Sequence, residues 1–173
     1  LTGDQAHRQE RGDGHGGGPF GHGVERSGFA AVASSGLSAV IAIHDTRLGP
    51  GVGGCRVQPY GAEQLALTDV MRLAEGMTYK AACAGLDLGG GKSVIIGNNR
   101  TSDREMIFRA HGRFVESLGG RYITAAYGGT STPHMDFVHT ATKDVYGLAG
   151  SARDTAALHA HGGFGALPAV PPP

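Results

Sequence analysis

Apolar and polar residues follow two distinct periods through the middle of this chain and neither period at its ends. Residues 39–44, Ala-Val-Ile-Ala-Ile-His, form a short, partly β-branched apolar run, the pattern of a buried strand. LGPGVGG, residues 48–54, reads as a glycine-punctuated loop. From residue 63 to 84 the apolar positions recur at helical spacing, with Leu67, Val70, Met71, Ala74 and Met77 on one face. Gly85 then supplies a C-terminal stop. LGGGK leads into Ser93-Val94-Ile95-Ile96, a second buried strand. Ser102-Asp103-Arg104-Glu105 has the form of a capping box, followed on one helical face by Ile107, His111, Phe114 and Leu118 and closed by Gly119-Gly120. Residues 121–124 read as a third strand. Thr132-Pro133 suits an N-cap and first helical position for a short helix through Val138. Strand and helix alternate throughout, which is the order of an α/β layer structure.

Composition divides the chain. Glycine is heavily used, 31 residues of 173, and it crowds into both ends as well as into short central runs. Residues 1–27 lack both periods and carry few large apolar side chains, so they are expected to be irregular. Residues 151–173 end in a proline run and are expected to form an irregular tail. One domain, residues 28–150, is left between them, and it is long enough to bury a real core. Fifteen basic residues balance fifteen acidic ones, which removes the electrostatic motive for binding nucleic acid or an anionic membrane. No apolar run reaches membrane-spanning length, and the N-terminal basic residues precede no apolar signal core, so the cytoplasm is the expected location. Cys55 and Cys83 are too few for a disulfide framework and read as small buried residues or free thiols.

The candidate chemistry lies in GMTYKAACAGLDLGGGK. Lys80 falls near the end of the long helix and Lys92 at the mouth of the next strand. Turns at Gly85 and at Gly89-Gly90-Gly91 would bring both ammonium groups to one pocket, and glycine would let backbone approach a small ligand closely. A lysine near a second cation in a desolvated pocket binds its proton less tightly and can act as a general base, while the other lysine holds a carboxylate. The plainer alternative is a solvated helix lysine beside a glycine turn. The remaining polar residues point to no metal. His159 with His161, and His134 with His139, lack a zinc-type partner set, and His44 reads as structural. Cys83 reads as core, Arg72 and Arg113 as solvated charges, and GGGKS lacks the upstream glycine spacing of a phosphate loop.

The stretch from AVIAIHDTRLGPGVGGCRVQPYG through MTYKAACAGLDLGGGKSVIIG to FRAHGRFVESLGGRYITA resembles the N-terminal, substrate-binding and dimerisation domain of the glutamate/leucine/phenylalanine/valine dehydrogenases, most closely the leucine and valine branch. The specific pieces are LGP-x-x-GG-x-R, MTYK and LGGGK-x-VIIG in that order. The resemblance implies a mixed sheet flanked by helices. It also implies roles: Lys80 binds the substrate α-carboxylate, Lys92 is the catalytic lysine, and Gly53 and Gly54 lie beside the substrate. The implied reaction is reversible, NAD-dependent oxidative deamination of a small apolar L-amino acid to a 2-oxo acid. Hydride leaves Cα, and water activated by the lysine attacks the resulting imine. Further implications are a homo-oligomer and no metal.

Two departures from the family pattern bear on activity. Where the family has an acidic residue in T-A-x-D-V-G-T, this chain reads Thr124-Ala125-Ala126-Tyr127-Gly128-Gly129-Thr130. A phenol is a poor proton acceptor at neutral pH and lacks the charge to pair with a substrate ammonium; Asp136 is the nearby carboxylate. The family also places NAD on a Rossmann domain, and no G-x-G-x-x-G turn between strand and helix is present. Gly162-Gly163-Phe164-Gly165 follows no strand and runs into proline. The chain therefore reads as a truncated substrate domain, a pattern that a truncated, frame-shifted or decayed gene would produce. Two other functions compete with catalysis: a non-catalytic relic or oligomerisation module, and a binder of amino or oxo acids through Lys80.

Overall fold

The β-branched run at 39–44 becomes the centre of the longest strand, and the rest of the sheet is built outward from it. The computed structural model describes residues 23–98 and 103–149, together with the backbone of residues 6–10. Its strands are β1 (Ala6–Glu10), β2 (Arg26–Val32), β3 (Leu37–Asp45), β4 (Gly51–Gln58), β5 (Gly89–Ile96) and β6 (Tyr122–Ala126). Its helices are α1 (Glu63–Cys83), α2 (Arg104–Glu116) and α3 (Thr132–His139). All six strands form one mixed sheet in the order β1-β2-β3-β5-β4-β6. Neighbouring strands among β1, β2, β3 and β5 pair antiparallel, and β4 runs parallel to both β5 and β6.

The two parallel connections move in opposite directions along the sheet. From β4 the chain crosses through α1 to the adjacent β5, then returns through α2 across β4 to β6. Because such crossovers are right-handed, opposite directions put the two helices on opposite faces. The core records this. Val40 and Ala42 of β3 join Ala66, Val70, Met71 and Ala74 of α1 and Val94 of β5 in one cluster. Ala39, Ile41 and Ile43, offset by one residue, join Ile107, Phe108, Phe114 and Val115 of α2 and Met135 and Val138 of α3 in the other. The period of two along β3 thus feeds two separate cores, as expected of a strand covered on both faces.

Several local expectations are corrected. The glycine-rich segment from Gly51 is strand β4 rather than loop, and Gly89-Gly90-Gly91 is extended strand rather than turn. Ala6–Glu10 pairs with β2 inside the segment expected to be irregular, and β2 begins at Arg26. The rest of residues 1–22 and the tail expected at 151–173 lie outside the described residues. The N-cap of α2 is Asp103 with no side-chain cap bond, and Ser102 lies outside the described residues. In α3 the N-cap is Ser131, one residue earlier than Thr132, and its capping box is closed by His134. The buried stripe of α1 is Ala66, Val70, Met71, Ala74 and Ala81, with Leu67 only partly covered. Cys83 is exposed, not core, whereas Cys55 is fully buried.

The end of α1 follows expectation. Gly85 adopts φ +66°, and two hydrogen bonds, Gly85 N to Ala82 O and Leu86 N to Ala81 O, close a Schellman motif. A side chain at Gly85 would be strained in this left-handed conformation. The turn lets the chain reverse into β5 beneath the helix it has just left.

Candidate active site

Four glycines determine how closely the elements around the lysines approach. A Cβ on Gly90 would lie 2.2 Å from Thr78 N and 2.4 Å from Ala74 O, so the backbone of α1 rests directly on β5 there. On Gly91 it would lie 2.6 Å from the Tyr122 ring, and on Gly53 1.7 Å from Gly91 O. On Gly54 it would lie 2.4 Å from Tyr127 Cβ. The smallness of each residue is therefore required by the protein's own packing. The β4–β5 ladder pairs Val52 with Gly90 and resumes at Cys55 with Ser93, so Gly53 and Gly54 fall between these pairs.

Lys92 follows the glycines on β5 and is 1% exposed. Period two puts it on the α1 face of the sheet, between Gly90 and Val94. Burial, then the charge of Arg56, push its pKa down to about 8, with Lys80 acting in the same direction. Lys80, half-buried near the end of α1, and Lys92 thus share one side of the sheet. Lys92 Nζ lies 3.3 Å from the centroid of the Tyr127 ring, and Arg56 Cζ lies 5.3 Å from it. Tyr127 follows β6 directly and is held by Thr130, whose Oγ1 accepts from Tyr127 N at 2.6 Å and donates to Cys55 O at 3.0 Å.

Arg56 had no role in the sequence reading beyond its place in GG-x-R. It donates to Asp69 Oδ2 of α1 at 2.7 Å, and the Tyr60 hydroxyl donates to the same oxygen. Burial and the Asp69 bond push Tyr60 up to about 12, so it stays a donor. The signal for this cluster was tertiary, since residues 56, 60 and 69 come from a strand, a loop and a helix. Asp136 sits elsewhere: its Oδ1 accepts from Ala149 N at 3.3 Å.

A second polar chain backs the site from the α2 face. Tyr122 OH donates to Gly53 O at 2.8 Å and lies 3.2 Å from Ser93 Oγ, which lies 3.3 Å from His111 Nε2. Burial pushes His111 down to about 4, so it is neutral, and its Nδ1 has no partner among the described residues. Burial likewise raises Cys55 to about 12, which keeps the thiol protonated and unreactive. His44 donates to or accepts from Thr78 Oγ1 at 3.0 Å, and His134 receives Arg104 Nε at 2.9 Å while stacking on Phe108.

The residues described do not fit a dinucleotide. Gly53-Gly54 and Gly89-Gly91 lie inside strands, and the loop from β4 into α1 carries the single glycine Gly61. The Gly128-Gly129 turn between β6 and α3 lacks the G-x-G-x-x-G spacing, and the N-terminus of α3 is closed by its own Ser131 and His134. Among the described residues no helix is long and apolar enough to cross a membrane.

The site is a buried lysine with a lowered pKa beside further cations in an α/β domain, and comparison with known proteins gives the family of that domain. The chain belongs to the Glu/Leu/Phe/Val dehydrogenase, dimerisation domain family, whose model matches residues 7–144. It is 48% identical over 145 residues to the leucine dehydrogenase of Bacillus subtilis (strain 168), covering 82% of this chain and 40% of that protein. It is 50% identical over 134 residues to the valine dehydrogenase of Streptomyces virginiae, covering 76% and 37%. Among solved structures, the L-tryptophan dehydrogenase of Nostoc punctiforme superposes with TM-score 0.70 at 44% identity, over 73% of this chain and 37% of that one. The chain thus spans about two fifths of the length of these relatives, which are amino-acid dehydrogenases.

Proposed function

We propose that this chain is the substrate-binding part of an NAD-dependent amino-acid dehydrogenase acting on a small apolar L-amino acid and its 2-oxo acid. The observation that carries the reading is the state of Lys92: buried on β5, pressed by Arg56 and Lys80, with a pKa pushed down to about 8. Such an amine is partly neutral near pH 8 and can take a proton from water or from the substrate, the work of a general base. Lys80, nearer the surface, holds the substrate carboxylate by a charge-assisted hydrogen bond. In this reading Gly53 and Gly54, on the interior strand β4, lie beside the substrate, and the Tyr122 hydroxyl holds Gly53 in place through the Gly53 carbonyl. NAD supplies the hydride acceptor in this family. Because the described residues do not fit it, the hydride step is not assigned to any group of this chain.

Assembly into a homo-oligomer belongs to the same reading, supported by the family's description as a dimerisation domain. The test is an absorbance assay of NAD reduction with leucine, valine and phenylalanine. It is run on this chain and on a fusion to the remaining length of the Bacillus subtilis relative. Turnover that is lost in Lys92→Ala, and that shows a raised KM in Lys80→Ala, is the expected result. A folded fusion that turns over none of the three amino acids rejects the reading.

A further inference from the structure

Resting on the lysine-site reading above, we propose that this site selects a small apolar carboxylate without an α-ammonium group, a 2-oxo acid, over the matching L-amino acid, and that Tyr127 sets this preference. The groups on the α1 side of the sheet are unequal in charge. Lys92 of β5, Arg56 of β4 and Lys80 of α1 contribute three cations. One carboxylate of the cluster, Asp69, offsets one of these charges, and the balance stays positive. Asp69 accepts from both Arg56 and Tyr60. Asp45, at the end of β3, is held by the Arg47 guanidinium and backbone. Asp136, on α3, lies outside this cluster and accepts from the Ala149 backbone.

What faces Lys92 is a ring rather than a carboxylate. The Tyr127 ring, 3.3 Å from Nζ at its centroid, attracts the ammonium through its quadrupole but brings no net charge. Arg56 lies against the same ring. The ring therefore already serves two of the protein's own cations, and the local balance remains positive. A ligand carboxylate is attracted to that balance. A ligand α-ammonium would add a further cation beside this net positive cluster, where the burial of Lys92 leaves like charges poorly screened. A carbonyl at the same position adds no charge and can accept a hydrogen bond from Lys92. The chemistry of the cluster thus favours the oxo acid.

Calorimetry on the whole chain at pH 7 tests this, with 4-methyl-2-oxopentanoate and L-leucine as probes. The oxo acid is expected to bind at least tenfold more tightly. Tyr127→Asp, which returns a negative charge to the ring position, should cut that ratio at least tenfold, while Tyr127→Phe should preserve it. Equal affinities, or tighter leucine binding that Lys80→Ala abolishes, would overturn this selectivity and leave the lysine site standing. No binding of either probe to chain shown folded by circular dichroism would overturn both. Should Tyr127→Asp fail to fold, the wild-type ratio decides alone.

Discussion

Replacing Lys92 by methionine should make the protein more stable at pH 7. In the unfolded chain this lysine titrates at its ordinary value of 10.5, whereas in the folded state burial and the neighbouring charges of Arg56 and Lys80 lower it to about 8. The protein therefore folds against the cost of confining a cation. At 1.36 kcal/mol per pKa unit the cost is about 3 kcal/mol. The sign follows from proton counting: between pH 8 and 10.5 the unfolded state binds more protons, so stability from this group rises with pH across that window. The full cost is present below about pH 8 and has fallen to roughly half by pH 9.5. Methionine removes the charge at similar length and also gives up the attraction to the Tyr127 ring, roughly 1–2 kcal/mol at a desolvated site. The net expectation is a gain of about 1–2 kcal/mol at pH 7 that shrinks toward zero at pH 9.5. The chain has no tryptophan, so urea unfolding is followed by far-UV circular dichroism at both pH values. A Lys92→Met protein less stable than the parent at pH 7, or a difference that does not change with pH, would refute the reasoning.

The glycine contacts predict that Gly53→Ala, whose Cβ would meet a backbone oxygen at 1.7 Å, costs more than about 3 kcal/mol; a urea midpoint near the parent's would contradict this. Tyr122→Phe leaves the Gly53 carbonyl without its donor and should cost about 1–3 kcal/mol by the same measurement, whereas an unchanged midpoint would show the bond to be idle. His111 is held neutral with its pKa lowered to about 4, so its contribution is fully present above pH 6.5 and is lost as pH falls toward 4. Acid unfolding of His111→Leu, followed by circular dichroism, should then begin at lower pH than in the parent; coincident acid transitions would count against it.

Much of the architecture was open to sequence reasoning because it depends on local pattern. The run at 39–44, the helical stripe from residue 63 and the Gly85 stop each carry their own signal within a few residues, and β3, α1 and the Schellman turn formed where that signal lay. The order of Lys80, the glycine run and Lys92 was equally visible, and the motifs around them were specific enough to point to the family. β4 was misread because three glycines in Gly51–Gln58 look like turn punctuation. Their actual cause lies up to 73 residues away, where the Gly91 carbonyl and the Tyr127 side chain occupy the space of their missing Cβ atoms. The sequence by itself determined the periods, the caps and which chemical groups the chain carries. Only the tertiary structure decided that Arg56 neutralises Asp69, that Tyr127 covers Lys92, and that Lys92 loses affinity for its proton. Those effects depend on distance and dielectric between segments remote in the chain, and no local pattern of residues encodes either quantity.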